Sequence, residues 1–568
     1  MRIKGIAVAG GIAFGQAIVV TPYHSQLDYH LIPPAQLGIE QARLDKALAS
    51  LIQQIKHSAQ HLDPNSEHYQ LIEADLLLLE DADLQAELRA AITEQQFSAA
   101  LAVEHTFAKQ AQALQAMDSP YLASRSDDIL ALGQRVITTL LTGKCSTLTE
   151  LPRNSIVIAK DITPAEFALL PLENLAGLVL QTGGITSHSA ILARSFDIPT
   201  LVGCECNLND IVDGTPVAID TLNGLLFIDP DAEQVARLTL AQQQTLLRKT
   251  ELLKFKDHPT QTSDGHPIAL LANVGCISEI NHLSSVGGEG VGLFRTEFML
   301  MNRQQLPDEQ QQYQLYCDAL QLLNGRILTI RTIDIGADKE VPALAMPVEE
   351  NPALGLRGVR YTLAHPQLFC VQLKAILRAA NQGPIRLMFP MVNQVEELET
   401  ILALIEQCKA ELIEQEKGYG PLSMGIVVET PAAVLNLASM LPLLDFISIG
   451  TNDLTQYTMA ADRGNPELIK RYPVLSPALI KLISQTINQA HAAKVTVSLC
   501  GELASNPRAT ALLVGLGIDE LSVSVAALLE IKQELSRWTY IECVELAQHA
   551  KVISRIETLN ELLTCCHS

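Results

Sequence analysis

Two sets of residues in this 568-residue chain have the types and spacing for chemistry. The first surrounds His188. The apolar run Leu175-Ala176-Gly177-Leu178-Val179-Leu180 reads as a buried strand, and Gly183-Gly184 after it permits a sharp turn. Thr186 or Ser187 can cap a helix whose apolar face begins at Ala190 and Ile191. His188 then falls in the first helical turn, where unpaired backbone N–H groups and the helix dipole favour anions and disfavour an imidazolium. A neutral imidazole there is a nucleophile, and the same N–H groups can hold the phosphoryl group that it accepts. The hydroxyls of Thr186, Ser187 and Ser189 can add hydrogen bonds. A histidine that merely caps a helix fits the stretch equally well.

The second set lies at the ends of strand-like runs. One run closes with Phe294-Arg295-Thr296-Glu297, the next with Arg331-Thr332-Ile333-Asp334, followed by Asp338-Lys339. Others close with Glu429-Thr430-Pro431, Thr451-Asn452-Asp453 and Cys500-Gly501-Glu502, while Arg357 and Arg463 fall in loops that can lean over the same mouth. Two carboxylates, Glu429 and Asp453, suit a hard cation such as Mg²⁺, which keeps several waters and bridges to a substrate phosphate. Arg295, Arg331 and Arg463 with Lys339 suit a small dianion or trianion, because guanidinium forks grip carboxylate and phosphate. A ring of structural salt bridges is the plain alternative.

These residues need elements to hold them. From Gly265 onward, apolar runs alternate with helical stretches: Ile268–Val274, Gly290–Phe298, Ile327–Asp334, Ile385–Val392, Met424–Thr430, Phe446–Asp453, Thr496–Glu502 and Glu520–Val525. Eight parallel strands separated by helices imply a TIM (β/α)8 barrel, whose site is built at the C-terminal strand ends. Residues 1–20 read as two short strands around a glycine-rich turn, Gly10 to Gly15. From Leu37 to Leu141 the pattern becomes helical, with breaks near Asp63-Pro64-Asn65 and Ser119-Pro120. Asp63, Glu67, Glu73, Asp75, Glu80, Asp81, Asp83, Glu87 and Glu94 are opposed within their stretch by Arg89 alone. Such a surface is either simply solvated or a docking face for a basic protein, with Glu73, Glu80, Asp81 and Asp83 at its centre. Strands return from Pro152 to Pro230. A Pro-free run from Ala232 to Lys254 favours one long helix. The expected organisation is an α/β domain of residues 1–20 and 150–230, an inserted helical subdomain over 30–145, a linker helix over 231–258, and the barrel over 260–568.

Composition narrows the class. The 48% apolar share is ample for large cores, and the formal charge of −23 excludes nucleic acid or an anionic membrane surface as the main partner. The 11 cysteines are scattered and show no CxxC, so neither a disulfide framework nor a zinc site is expected. Nor does Met1-Arg2-Ile3-Lys4-Gly5-Ile6-Ala7 begin a signal peptide, and a reducing cytoplasm is the expected location.

The motifs resemble a family: enzyme I of the bacterial phosphoenolpyruvate-dependent sugar phosphotransferase system. The His188 stretch is similar to its phosphohistidine signature, and Gly290-Val291-Gly292-Leu293-Phe294-Arg295-Thr296-Glu297-Phe298 to its substrate-arginine motif. Ser448-Ile449-Gly450-Thr451-Asn452-Asp453-Leu454-Thr455-Gln456-Tyr457, with Asp462-Arg463-Gly464-Asn465, resembles a third segment. The resemblance implies that Glu429 and Asp453 hold Mg²⁺. It implies that Arg295, Arg331, Lys339, Asn452 and Arg463 bind phosphoenolpyruvate, and that Cys500 protonates the enolate of pyruvate. It further implies that His188 takes the phosphoryl group and passes it to a histidine of the carrier HPr, docked on the acidic helices. A homodimer formed through the barrel is also implied.

Four positions depart from the family pattern. Ile185 stands where many members have Arg, Phe167 where many have a Thr that hydrogen-bonds the active histidine, Gly10 for a usual Pro, and Ala337 for a usual Gly. They leave open a paralogue serving a different HPr-like carrier in a regulatory branch. A pyruvate–phosphate dikinase or phosphoenolpyruvate synthase would need a large ATP-grasp domain, for which this sequence has no residues to spare. A nitrogen-branch relative would normally begin with a sensory domain, and a non-catalytic scaffold has no use for the charged strand ends.

Overall fold

The computed structural model describes residues 1–20, 29–59, 67–115, 120–143, 151–162, 166–167, 170–182, 188–196, 198–300, 306–336, 344, 349–463 and 465–565. The chain divides into two compact units, Met1–Leu247 and Arg248–Ser568.

The first unit is built on one mixed sheet. Its strands are β1 (Arg2–Lys4), β2 (Ile6–Ala9), β3 (Ile12–Val20), β4 (Ser155–Ala159), β5 (Leu175–Leu180), β6 (Thr200–Val202), β7 (Pro216–Asp220) and β8 (Leu225–Ile228). The spatial order is β1-β8-β7-β3-β4-β5-β6-β2. β3 pairs parallel with β4, register Gln16 to Ser155 through Val20 to Ala159. The long insertion between them therefore leaves the sheet at one end of β3 and re-enters at the opposite end of the neighbouring strand. The expected turn over Gly10 to Gly15 is corrected here: only Gly10 and Gly11 turn, and Ile12 onward is strand. Gly15 lies inside β3 because a Cβ there would come within 2.2 Å of the Asn154 carbonyl oxygen.

Among the described residues, the insertion forms five α-helices, α1 (Leu37–Ala59), α2 (Glu67–Glu80), α3 (Ala82–Thr93), α4 (Ala99–Gln115) and α5 (Pro120–Thr142). They bury a shared stripe that includes Leu44, Leu51, Leu88, Val103, Phe107 and Val136. Asp81 ends one helix and starts the next, its carboxylate accepting the Leu84 N–H at 2.8 Å. The expected breaks at Asp63-Pro64-Asn65 and at Ser119 fall outside the described residues. Pro120 opens α5, where a missing N–H removes no helical bond. The Pro-free run forms one helix, Ala232–Leu253.

The second unit is a closed barrel of parallel strands: β9 (Ala269–Val274), β10 (Val291–Arg295), β11 (Leu328–Arg331), β12 (Ile385–Phe389), β13 (Ser423–Val428), β14 (Phe446–Ile449), β15 (Thr496–Leu499) and β16 (Glu520–Ser524). All eight expected runs contain a strand, and β16 closes on β9 with Glu520 opposite Ala269. Most strands stop short of the polar tails that the runs included. Thr296–Met299 is a 3-10 turn, and Thr451–Met459 is an α-helix beginning two residues after β14. Once the barrel wall ends, polar residues leave the ladder and turn toward the mouth.

Alternation sorts the strand side chains. One set, Ile330, Leu387, Ile426, Ile447, Ile449 and Leu499 among them, joins the shell packed against the surrounding helices. The other set, Leu293, Met388, Val427, Phe446 and Cys500, packs together inside the barrel. Toward the N-terminal end, Arg386 forks onto both Glu520 oxygens at 2.9 and 2.7 Å and lies 5.2 Å from the Phe446 ring centroid. This pair fills the barrel from below, and a second set of charged residues collects at the opposite end.

Candidate active site

At that end the last residues of β10 and β11 are Arg295 and Arg331, and Glu429 and Cys500 follow β13 and β15 directly. Asn452 and Asp453 lie in the first turn of Thr451–Met459, where the helix dipole favours a carboxylate. The Asn452 side-chain oxygen accepts the Glu502 N–H at 3.0 Å, tying the tops of two βα segments together.

Six charged groups alternate in sign across the mouth. Arg331 Nη2 donates to Glu297 Oε1 at 2.6 Å, and its Nη1 lies 3.1 Å from Asp334 Oδ2. Arg357 Nη2 donates to both Asp334 oxygens at 3.2 and 3.1 Å. Its Nη1 donates to Asp453 Oδ1 at 2.8 Å and to the Tyr457 hydroxyl at 3.1 Å. Arg463 Nη1 completes the row, reaching Asp453 Oδ2 at 3.2 Å. All but Arg463 are buried. Burial by itself would lower the Arg331 and Arg357 pKa values, but the acids around them carry both above the ordinary arginine range.

Glu429 stands beside this row. A Cβ on Gly450 would lie 2.9 Å from Glu429 Oε2, so only glycine lets the next strand end pass. The other Glu429 oxygen accepts the Met391 N–H at 2.7 Å. Burial first, then the negative charges of Asp453 and Asp334, push its pKa up to about 8 against the pull of Arg331 and Arg357. A pair of buried carboxylates that repel each other is a place where a cation is favourable. Among the described residues, no cluster of three or more His, Cys, Asp or Glu is placed to hold a metal unaided. Mg²⁺ commonly takes only one or two protein carboxylates with waters and substrate oxygens, so Glu429 and Asp453 fit such an ion.

Cys500 lies within electrostatic reach of Glu429, Arg331 and Arg295. Its backbone N–H donates to the Ile449 carbonyl at 3.1 Å, and its Sγ is 3.8 Å from the same oxygen. Burial raises the thiol pKa, the Ser448 hydroxyl opposes that rise, and the nearby Glu429 charge adds to it. The protonated thiol is therefore the prevailing form at neutral pH.

The structure thus brings Arg295, Arg331, Glu429, Asp453, Arg463 and Cys500 to one mouth, with Asn452 on the adjoining helix. Lys339 and Ala337 lie outside the described residues. Three groups central to the network were underweighted by sequence reasoning. Glu297 and Asp334 close two of the runs with no role assigned to them, and Arg357 is expected to lean over the mouth from a loop, without its partners. Behind them Gln372, wholly buried, donates to Thr296 Oγ1 at 3.1 Å and accepts the Ile333 N–H at 3.1 Å. Thr296 Oγ1 in turn donates to the Arg331 carbonyl at 2.8 Å. Nothing in the sequence singled out Gln372.

In the first unit, His188 is the first residue of the helix His188–Ser195. Its side chain, and the stretch from Gly183 to Ser187 with Ile185, lie outside what is described. Ser189 is corrected: buried, it donates to the Ile162 carbonyl at 2.5 Å, so its hydroxyl anchors the helix start. Phe167 is buried with Leu180, Ala190 and Ala193 and stacks on Phe196 with ring centroids 6.0 Å apart. Apolar packing occupies the position where the family pattern has a hydroxyl.

The acidic helices are also corrected. Arg89 is not their only counter-charge, since Lys56 from α1 meets Glu80 at 2.6 Å, Arg135 from α5 meets Asp75 at 2.9 Å, and Lys109 from α4 meets Glu87 at 3.2 Å. Arg89 itself turns to Asp45 at 2.9 Å. Asp81 uses one carboxylate oxygen as a helix cap and is exposed. Glu73, Leu77, Glu80 and Asp83 are exposed.

With this geometry in hand, the comparisons assign a class. Three models of phosphoenolpyruvate-utilising enzymes match: the N-terminal domain over residues 4–125, the mobile domain over 151–224, and the phosphoenolpyruvate-binding domain over 249–540. The phosphoenolpyruvate-protein phosphotransferase of Haemophilus influenzae is 37% identical over 551 residues, covering 96% of each chain. That of Bacillus subtilis is 34% identical over 539 residues, covering 94% of each. An NMR solution structure of Enzyme I (nEIt) aligns with 43% of this chain and 99% of its own at 30% identity, with a TM-score of 0.37. The chain belongs to the phosphoenolpyruvate-protein phosphotransferases, enzymes that move the phosphoryl group of phosphoenolpyruvate. Among the described residues, no helix is long and apolar enough to cross a membrane.

Proposed function

We propose that this enzyme transfers the phosphoryl group of phosphoenolpyruvate to its own His188 and then to a histidine of HPr, the first step of sugar uptake. The observation that carries this reading is the convergence of Arg295, Arg331, Glu429, Asp453, Arg463 and Cys500 at one barrel mouth. Arg295, Arg331, Arg463, Asn452 and Lys339 hold the substrate's phosphate and carboxylate. Glu429 and Asp453 are the residues that would hold Mg²⁺, which when bound offsets the anionic charge of the substrate.

The chemistry balances with this chain's own groups. The P–O bond to the enol oxygen breaks as a His188 nitrogen–phosphorus bond forms, and the electron pair stays on the oxygen. The enolate becomes pyruvate when its terminal carbon takes the Cys500 thiol proton, a role that the raised thiol pKa supports. Glu73, Glu80, Asp81 and Asp83 form the carrier-docking face, with Leu77 (67% exposed) as an apolar contact. A cytoplasmic homodimer joined through the barrel completes the reading, and a paralogous HPr-like carrier is the alternative partner.

One incubation tests the core. With ³²P-labelled phosphoenolpyruvate and Mg²⁺, label should appear on His188 as an acid-labile, alkali-stable phosphoramidate and pass to added HPr. His188→Ala should take up none. Normal labelling of that variant would sink the assignment, and labelling without transfer to HPr would turn it toward another carrier.

A further inference from the structure

The strands β15 and β16 do not stay together. Their pairing covers only Ser498 with Glu520 and Leu499 with Leu521. In register, the next pair would be Cys500 with Ser522, and there the ladder stops. On its other side Cys500 remains tied to β14 through the Ile449 carbonyl. On the open side both carbonyls, of Cys500 and of Ser522, face the side chain of Asn273, the fifth residue of β9.

The Asn273 amide nitrogen donates to the Cys500 oxygen at 3.0 Å and to the Ser522 oxygen at 3.0 Å. A carboxamide has two N–H donors, one for each. Its oxygen accepts the Ser522 hydroxyl at 2.6 Å, which fixes which way the amide faces. The Asn273 backbone is itself held on both sides, opposite Ser524 of β16 and Leu293 of β10. A side chain on a rigid strand therefore replaces the missing rung next to the thiol. Leucine would fill the space without donating, and an aspartate would turn a carboxylate toward two carbonyl oxygens.

We propose that Asn273 is a positioning residue for the proton-delivery step: it sets where the Cys500 thiol sits relative to the face of the enolate. This rests on the reading of Cys500 as the proton donor. Asn273 touches no substrate in this account, and acts through the Cys500 and Ser522 carbonyls. Misplacing a reacting group by about 1 Å typically costs on the order of 10²-fold in rate. Asn273→Ala should therefore lower pyruvate formation by roughly 10–100-fold, and leave the KM for phosphoenolpyruvate within about threefold of wild type.

The decisive readout is stereochemical. Phosphoenolpyruvate carrying deuterium at one C3 position is turned over in tritiated water, and the chirality of the pyruvate methyl group is measured for wild type, Asn273→Ala, Ser522→Ala and Cys500→Ala, each as the full chain with Mg²⁺ and carrier. Wild type should protonate one face. Asn273→Ala should lose much of that selectivity as enolpyruvate escapes to solvent protonation. Ser522→Ala, which removes one hydroxyl and leaves the barrel packing intact, should show a smaller loss in the same sense, and it carries the test if Asn273→Ala fails to fold. Full selectivity in both variants overturns the inference, whether or not their rates or melting temperatures fall, since that is what a merely structural rung predicts. If Cys500→Ala itself keeps wild-type rate and selectivity, the donor assignment fails instead, a result distinguishable from the first.

Discussion

The barrel mouth and the helical insertion are both laced with ion pairs, yet their surroundings are opposite. In the mouth, Glu297, Arg331, Asp334, Arg357 and Asp453 are buried, and each of the last four bonds or pairs with two others of the row. In the insertion, Lys56 with Glu80, Arg89 with Asp45, and Lys109 with Glu87 each leave both side chains at least 43% exposed. Exposed pairs are each worth about 0–1 kcal/mol. Taking charges out of water costs several kcal/mol per ion, and the Coulomb gain offsets it only with near-complete hydrogen bonding. A fold has no stability reason to bury such a row. On the proposed function, the mouth holds its charges for an anionic substrate, while the insertion displays exposed charges to solvent.

The largest expected effect comes from breaking the row at its hub. Arg357→Leu leaves Asp334 with Arg331, and Asp453 with Arg463, as their remaining cations of the row, and removal of one partner from a buried network typically costs about 3–5 kcal/mol. Denaturant melts should show a loss of that size for the barrel, with phosphoenolpyruvate turnover falling to background. A stable variant that still turns over would mean the mouth is as tolerant as the insertion, and the contrast would collapse.

Next in size is a pair of the insertion that, among the described residues, resembles the mouth. Arg135 and Asp75 have only 8% and 16% side-chain exposure. Arg135→Leu leaves a partly buried carboxylate, so the cost should be about 1–3 kcal/mol. Below its melting temperature the variant should form pyruvate at the wild-type rate in single turnover, because the pair is far in kind from the chemistry. Reduced phosphoenolpyruvate-dependent labelling of His188 with the fold preserved would break the separation of roles.

A smaller effect is expected on the displayed acids. Reversing Glu73 and Asp83 together to Lys should cut the carrier on-rate by about tenfold at low salt, with the difference fading as ionic strength shortens the Debye length toward about 8 Å. Stability should move by less than about 1 kcal/mol. Unchanged, salt-independent carrier kinetics would remove the docking role from this face.

The sequence reveals these two regions unequally. Alternating apolar runs mark all eight barrel strands, because a buried parallel strand is apolar on both faces. Strand ends were overrun at Thr296-Glu297 and Thr451-Asn452-Asp453, since local pattern does not tell a polar strand tail from a polar turn. Site residues were recognisable where they sit beside their strand, as Arg331 and Glu429 do. For Arg357 the sequence shows only a loop able to reach the mouth, because its partners Asp334 and Asp453 lie 23 and 96 positions away and only barrel closure unites them. Asn273 is still less visible: its value lies in facing two carbonyls of other strands, which no side-chain pattern encodes. On the insertion, the counter-charges Lys56, Lys109 and Arg135 lie on α1, α4 and α5, distant in sequence from the acids they meet, so local charge balance does not show them.

The smallest effect sharpens the comparison most. Lys56 and Glu80 are 53% and 45% exposed, and their contact at 2.6 Å covers a central acid of the displayed face. Lys56→Ala removes a pair worth about 0.2–1 kcal/mol, so the melting temperature should barely move. The same change uncovers Glu80 and makes the face more negative by one charge. A basic carrier should then associate slightly faster, by about twofold at low salt and not at all at high salt, because rim charges act on the encounter rate. Glu80→Ala should do the reverse at the same small cost to stability. Opposite kinetic signs with equal, negligible stability changes are expected only where charge serves steering alone. A loss above about 2 kcal/mol in either variant would place this pair with the buried row of the mouth, and equal kinetics in both would leave the face merely solvated.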